Sequence, residues 1–474
     1  MIFNSFTFLA FFIIFFSLFL FCNNSFKVII CLIASYVFYA WWDWRFLLLI
    51  VFSTYFEYYV GLRLSRSSDN LVKKKLLVSS IAVNLGLLGV FKYLNFFIAS
   101  FSVLLNLTGL SVSPYTLNII LPLGISFYTF QNLSYTIDLF QNRIEVEHSF
   151  LKYALFIAFF PKLLAGPIIR AREFLPQLSF DKPYDWDNFY QGLHKAVWGL
   201  VKKVAVADNL IPFVDRVFDT PTGHNSLTLI LATFFFTVQI YCDFSGYSDM
   251  AIGIARMMGF KLPENFNLPY FANSFSDFWR RWHITLSTWF RDYIYILLGG
   301  NRAGIIMTFR NLMITMLLCG LWHGANWTFV IWGGLHSVFL ILQRMVTQVV
   351  DPLLDRIRIP KLIKNFVSII FVFICTSLAW VFFRSTSIEA AFVFLSKMLD
   401  FQDLSFSSVP YKLVFVKGVI MILFLFFIEI ISLNPTIRLK VNKIPILRLI
   451  TLSLMICIIS LFGGFGQPFI YMNF

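Results

Sequence analysis

The sequence predicts an all-α protein that crosses a membrane many times, and three observations carry that prediction. Hydrophobic residues make up 59% of the 474-residue chain and charged residues only 13%, where a soluble domain carries about 25% charged residues. Mean hydropathy is +0.77, and the apolar residues fall into repeated runs long enough for bilayer-crossing helices. The basic residues behind the formal net charge of +14 gather in loops between those runs. That is the pattern of cytoplasmic loops rather than of a nucleic-acid surface. The six cysteines are scattered, no pair has metal-ligand spacing, and no disulfide framework is implied.

Residues 6–21 (FTFLAFFIIFFSLFLF) lack a basic start and a small-residue cleavage site, and read as a retained first span. Runs near 26–42 and 46–61 follow. The segment 61–75 holds five basic residues and one acid, so it is expected in the cytoplasm, with the N-terminus outside. Further spans are expected at 76–92 and 94–110. In 116–137, Pro122 and Gly124 predict a broken helix start. Gln131, Asn132, Ser134, Thr136 and Asp138 make that stretch too polar for lipid, so it should face the protein interior. Pro161, Gly166, Pro167 and Pro176 interrupt 159–178, and Lys162, Arg170 and Arg172 place it near the cytoplasmic face.

Segment 186–218 is amphipathic, with Lys195, Lys202, Lys203 and Arg216 among apolar residues. It reads as a helix on the cytoplasmic surface, bound to anionic lipid or lying beside an anionic substrate. The apolar run 226–242 turns polar at Tyr241–Asp249. Asp243 and Asp249 there predict a helix break facing a wet cavity, as an acid–base pair or as caps of a helix from about 247. Segment 276–298 reads as one helix with Arg280, His283 and Ser287 on a common face and Asp277 paired with Arg281. Basic loops at 344–364 and 433–448 should be cytoplasmic, with spans near 362–383, 411–432 and 446–462 and the C-terminus outside. With no internal repeat, the chain reads as a single integral-membrane domain over 1–474, its core motifs within 121–342.

The organising stretch is Leu317–Trp327, LLCGLWHGANW. His323 lies between an apolar run, 305–321, with one charge, and another, 327–342, with none. An ionisable group at bilayer depth is costly, so it usually faces a cavity and marks function. Gly320, Gly324 and Asn326 suggest a broken helix around a binding site. His336 follows thirteen residues later, which on one helix puts it about 140° away and disfavours a shared metal. No metal-binding motif is present, and no metal is expected.

At these residues the chain resembles the membrane-bound O-acyltransferase superfamily, most closely its bacterial alginate O-acetylation branch. The resemblance rests on LPLGISFYTFQNLSYTIDLF (121–140), FFPKLLAGPIIRAREFLPQL (159–178), CDFSGYSDMAIGIARMMGFKLPENFNLPY (242–270), FWRRWHITLSTWFRDYIYI (278–296) and LWHGANWTFVIWGGLH (321–336), with PFIYMNF at the end. It implies a bundle of roughly 11–14 crossing or re-entrant helices around a central funnel. His323 of LWHG takes the family's catalytic position, and His283 of WRRWH that of its usual second member. The resemblance further implies transfer of acetyl from cytoplasmic acetyl-coenzyme A, with no bound cofactor, toward the hydroxyls of an extracytoplasmic polysaccharide. A separate relay partner and a place in the cytoplasmic (inner) membrane go with it.

That chemistry suits the residues. A thioester is already activated, a hydroxyl acceptor needs a base titrating near neutrality, and the tetrahedral intermediate needs hydrogen-bond donors. His283, Asn326 or freed backbone amides are candidates for donors. Asp243 and Ser287 are supporting candidates. Arg280, Arg281, Lys202 and Lys203 are candidates for the donor's phosphates, against ordinary loop charge. Two other readings compete: D-alanyl transfer from a carrier protein to teichoic acid, and a transporter with buried histidines as a proton relay. The lack of a repeat weakens the transporter.

Overall fold

The computed structural model describes residues 1–113, 116–180, 183–302, 304–356, 360–401, 403–406, 409–433, 444–464 and 469. The expected cytoplasmic loop 433–448 lies largely outside these, as does the PFIYMNF ending apart from Phe469. Among the described residues every regular element is a helix. Eight of the described helices are long and apolar enough to cross a membrane: Arg45–Arg66, Asn70–Leu107, Ser226–Met257, Ile305–His323, Trp327–Thr347, Lys361–Arg384, Lys412–Ile431 and Pro445–Phe462. Phe6–Phe21 and Asn24–Ala40 are shorter apolar helices. The protein is therefore an all-α, multi-pass membrane protein. The chain divides into two compact units, Met1–Leu193 with Ala251–Pro263, and His194–Met250 with Glu264–Phe474.

The first unit contains one departure from the expected spans. Residues 76–92 and 94–110 do not form two crossings. Asn70–Leu107 is a single 38-residue helix, and Gly89–Tyr93 is absorbed as one π-helical turn. A π-bulge lets a helix accommodate an extra residue without ending. Ile125–Phe140 starts after Gly124, whose φ of 75° is left-handed, as Pro122 and Gly124 predicted. Its polar residues are buried, as expected, and are used: Tyr153 donates to Asn132 Oδ1 at 3.0 Å, and Thr136 donates to the buried Glu57 carboxylate, which also accepts from Ser80 and Asn84. In the Pro-rich stretch, Lys162 is fully buried rather than at a surface. Its ammonium donates to Gln131 Oε1 at 2.6 Å and to the Phe156 carbonyl.

Three further expectations are corrected. Residues 186–218 are not a surface helix throughout: Val201–Ala207 forms a π-helical segment in which every residue is buried. Ser226–Met257 runs unbroken for 32 residues through Asp243 and Asp249. The carboxylates do not break the helix because lysines meet them inside. Lys203 pairs with Asp243 at 2.6 Å and with Asp208 at 2.8 Å, and Lys202 and Lys195 pair with Asp249 at 2.5 and 3.2 Å. By contrast, 276–298 is interrupted. Phe275–Arg281 ends at Trp282, His283 turns left-handed, and Ile284–Phe290 starts a new helix. The Asp277–Arg281 pair forms as expected, at 2.8 Å.

The core of the second unit is aromatic. Trp282, Trp332 and Trp380 are among its largest fully buried side chains and belong to one cluster. Against it lies the hairpin of Ile305–His323 and Trp327–Arg356. The helices meet at glycines, since a Cβ on Gly320 would stand 2.2 Å from the Phe329 carbonyl oxygen and one on Gly333 2.2 Å from that of Met316. Small residues let membrane helices pack backbone to backbone. Gly320→Ala should therefore force the hairpin apart and cost about 1–3 kcal/mol. A lowered thermal midpoint in detergent would register it; an unchanged midpoint would mean the seam is softer than its geometry.

Candidate active site

His323 is the last residue of its helix, and Gly324 continues in extended conformation before the next helix begins at Trp327. The break falls where Gly320, Gly324 and Asn326 predicted it. His323 is 2% exposed and His283 fully buried. Their ring centroids are 6.3 Å apart. Two imidazoles forty residues apart in sequence are thus brought to one place, close enough for a small reacting group to touch both.

Aromatic rings enclose the pair. Trp332, Trp322 and Phe383 lie 5.0, 5.1 and 5.5 Å from His323. Phe244 stands edge-on to His283 at 4.6 Å, with Trp322 at 5.9 Å. Apolar walls exclude water and strengthen any electrostatic contact inside. His336 adjoins the same enclosure. Trp332 contacts both rings, 5.0 Å from His323 and 4.8 Å from His336. The break at 324–326 puts the two histidines on different helices, so the 140° offset expected for one helix does not describe them.

The other candidates are placed less directly. Asn326 accepts from Thr328 N at 3.0 Å, as a helix cap does, and donates to the Thr386 carbonyl at 3.0 Å. One of its two amide hydrogens is used in holding the break. Ser287 donates to the Trp282 carbonyl at 3.2 Å. Asp243 is held by Lys203 in the buried ion pairs. Lys202 and Lys203 are likewise buried against carboxylates, with side chains 4% and 3% exposed, and form no basic entrance. Arg280 is exposed, its guanidinium donating to the Ser276 carbonyl at 3.3 Å, while Arg281 is partly exposed and shared with Asp277. Sequence reasoning passed over Asn265, Trp332, Trp380 and Phe383. Asn265 stands inside the PENFN stretch, a usable signal; the aromatic residues carry none in a chain with 60 phenylalanines.

A model of the membrane-bound O-acyltransferase family matches residues 8–385, which is most of the chain and includes every element of the site. The chain belongs to that family. As a member it is a membrane-bound O-acyltransferase, and the transporter reading gives way. The protein described as a probable alginate O-acetylase of Azotobacter vinelandii is 40% identical over 412 residues, covering 86% of this chain and 80% of its own. The peptidoglycan O-acetyltransferase of Helicobacter pylori is 39% identical over 411 residues, 81% of this chain and 76% of its own. The teichoic acid D-alanyltransferase of Bacillus subtilis is 31% identical over 234 residues, 47% of this chain and 59% of its own.

Proposed function

We propose that this acyltransferase moves an acetyl group from cytoplasmic acetyl-coenzyme A toward hydroxyls of an extracytoplasmic polysaccharide, from the cytoplasmic membrane and with a separate protein partner on the far side. The observation that carries the reading is the pair of buried imidazoles 6.3 Å apart in an aromatic enclosure, in a chain similar to O-acetylases over 81–86% of its length. Similarity to the D-alanyltransferase covers only 47%, so acetyl is preferred to D-alanyl.

In this reading His323 takes the proton of the acceptor hydroxyl as its oxygen attacks the thioester carbonyl. The tetrahedral oxyanion collapses, the C–S bond breaks, and the coenzyme thiolate leaves with the proton returned from the imidazolium. His283 orients the acceptor or the intermediate. The glycan supplies an alcohol, which needs a base; the thioester needs no metal to activate it.

The test is incubation of purified protein with radiolabelled acetyl-coenzyme A and candidate glycans. Label should pass to a glycan. With the lysines engaged in ion pairs, Arg280 and Arg281 remain as contacts for the donor's phosphates. Arg280→Ala and Arg281→Ala should therefore raise KM for the donor more than they lower kcat. Transfer from a D-alanyl carrier protein, with none from acetyl-coenzyme A, would sink the acetyl reading.

A further inference from the structure

Beside His283 lies a fully buried amide that the chemistry above does not use. Asn265 is 0% exposed, and its side-chain oxygen is shared by three groups: His283 Nδ1 at 3.1 Å, Thr285 N at 3.3 Å and Thr285 Oγ1 at 2.9 Å. Its nitrogen donates to Ser248 Oγ at 3.2 Å, and its backbone carbonyl accepts from Ile284 N at 2.9 Å. One asparagine thus holds residues 283–285 through both main chain and side chain. What it holds is strained, since His283 has φ 42° and ψ 53°, a left-handed conformation that costs a non-glycine residue about 1–2 kcal/mol.

The orientation of the amide follows from its partners. A backbone N–H can only donate, so the atom facing Thr285 N is the oxygen. The same oxygen faces His283 Nδ1, so that ring nitrogen carries the hydrogen. In a neutral imidazole the other nitrogen is then the bare one. His283 Nε2 is buried, with no hydrogen-bond partner among the described residues.

We propose that Asn265 is a positioning residue for acyl transfer, fixing His283 in the Nδ1–H tautomer so that its Nε2 lone pair is the atom presented to the reacting groups. This rests on the acyl-transfer reading above for its consequence in turnover, but not for the tautomer itself. His283 then accepts a hydrogen bond rather than giving one. It steers the acceptor hydroxyl, and it does not donate to the oxyanion while neutral. Among the described residues, the titratable ring in contact with it is His323, 6.3 Å away. Asp243, next to Phe244 on the packed helix, is neutralised by Lys203. On its own segment Asp277 is paired with Arg281, and Arg280 is turned to solvent.

Two measurements on the full-length protein in detergent test this. In histidine-labelled protein, ¹⁵N NMR with His283→Gln as the assignment control should show Nδ1 protonated and Nε2 bare. Asn265→Ala should mix or invert that pattern and lower kcat about tenfold or more with little change in KM, a part of what general acid–base groups contribute. Asn265→Asp keeps an acceptor for His283 and Thr285, and Ser248 can donate to it. It should retain turnover, with the acid limb of its kcat/KM profile moved to higher pH, because a carboxylate favours the imidazolium. That shift holds the proposal to account even if the alanine variant fails to fold. Wild-type protein with Nε2 protonated, or an aspartate variant with an unmoved acid limb, overturns it. An enzyme inactive with acetyl-coenzyme A that still shows the Nδ1–H tautomer refutes the proposed donor instead.

Discussion

His323→Ala should abolish acetyl transfer while the protein still inserts and purifies as the wild type does. The imidazole lies at the end of a helix, buried among Trp322, Trp332 and Phe383, and loss of a general base typically costs about 10²- to 10⁴-fold. Asparagine at this position should not rescue, because an amide has no basic nitrogen to take a proton near neutral pH. His283→Ala should also impair turnover but leave a residue of activity if it orients rather than abstracts. His336→Ala is the comparison within the same aromatic enclosure. It lies on the second helix of the hairpin, against Trp279 and Trp332, and should matter less. The measurement is acetyl transfer in membranes at saturating donor. If His323→Ala kept most of its rate, the base would have to be sought at His283.

Lys203→Met should be as damaging to the fold as His323→Ala is to the reaction. The Lys203 ammonium lies between Asp208 and Asp243, with side chains 1% and 4% exposed. Removing it takes the shared cation from two buried carboxylates, and breaking such a pair typically costs about 3–5 kcal/mol. The expected result is a low yield of monodisperse protein and a lowered thermal midpoint, with KM for acetyl-coenzyme A unchanged in whatever folds. A variant of normal stability with a raised KM would return Lys203 to the donor's path.

The sequence exposed the features whose causes are local. The fold class follows from hydropathy, the Asp277–Arg281 pair from spacing, and the breaks at Gly124 and Gly324 from glycine next to proline or to another small residue. It concealed features whose causes are distant. Nothing in Trp282–His283 announces a kink, since neither residue is glycine or proline; Asn265, from another segment, holds the left-handed turn in place. Nothing in Asp243 or Asp249 announces an unbroken helix, because the lysines that neutralise them lie on a different helix. The π turn at Gly89–Tyr93 reads in sequence as a boundary because Lys92 interrupts the apolar run. For the site, both histidines were legible as ionisable groups in an apolar setting, whereas their 6.3 Å separation depends on tertiary packing that periodicity does not encode.

Two helices whose backbones touch at Gly320 and Gly333 cannot slip along one another. A shift of one position would bring Cys319 or Leu321 against the Phe329 carbonyl, where even one added carbon is too close. The hairpin that carries His323 is therefore held in one register. His323 and Trp332, one on each helix and 5.0 Å apart, are thereby kept level with each other.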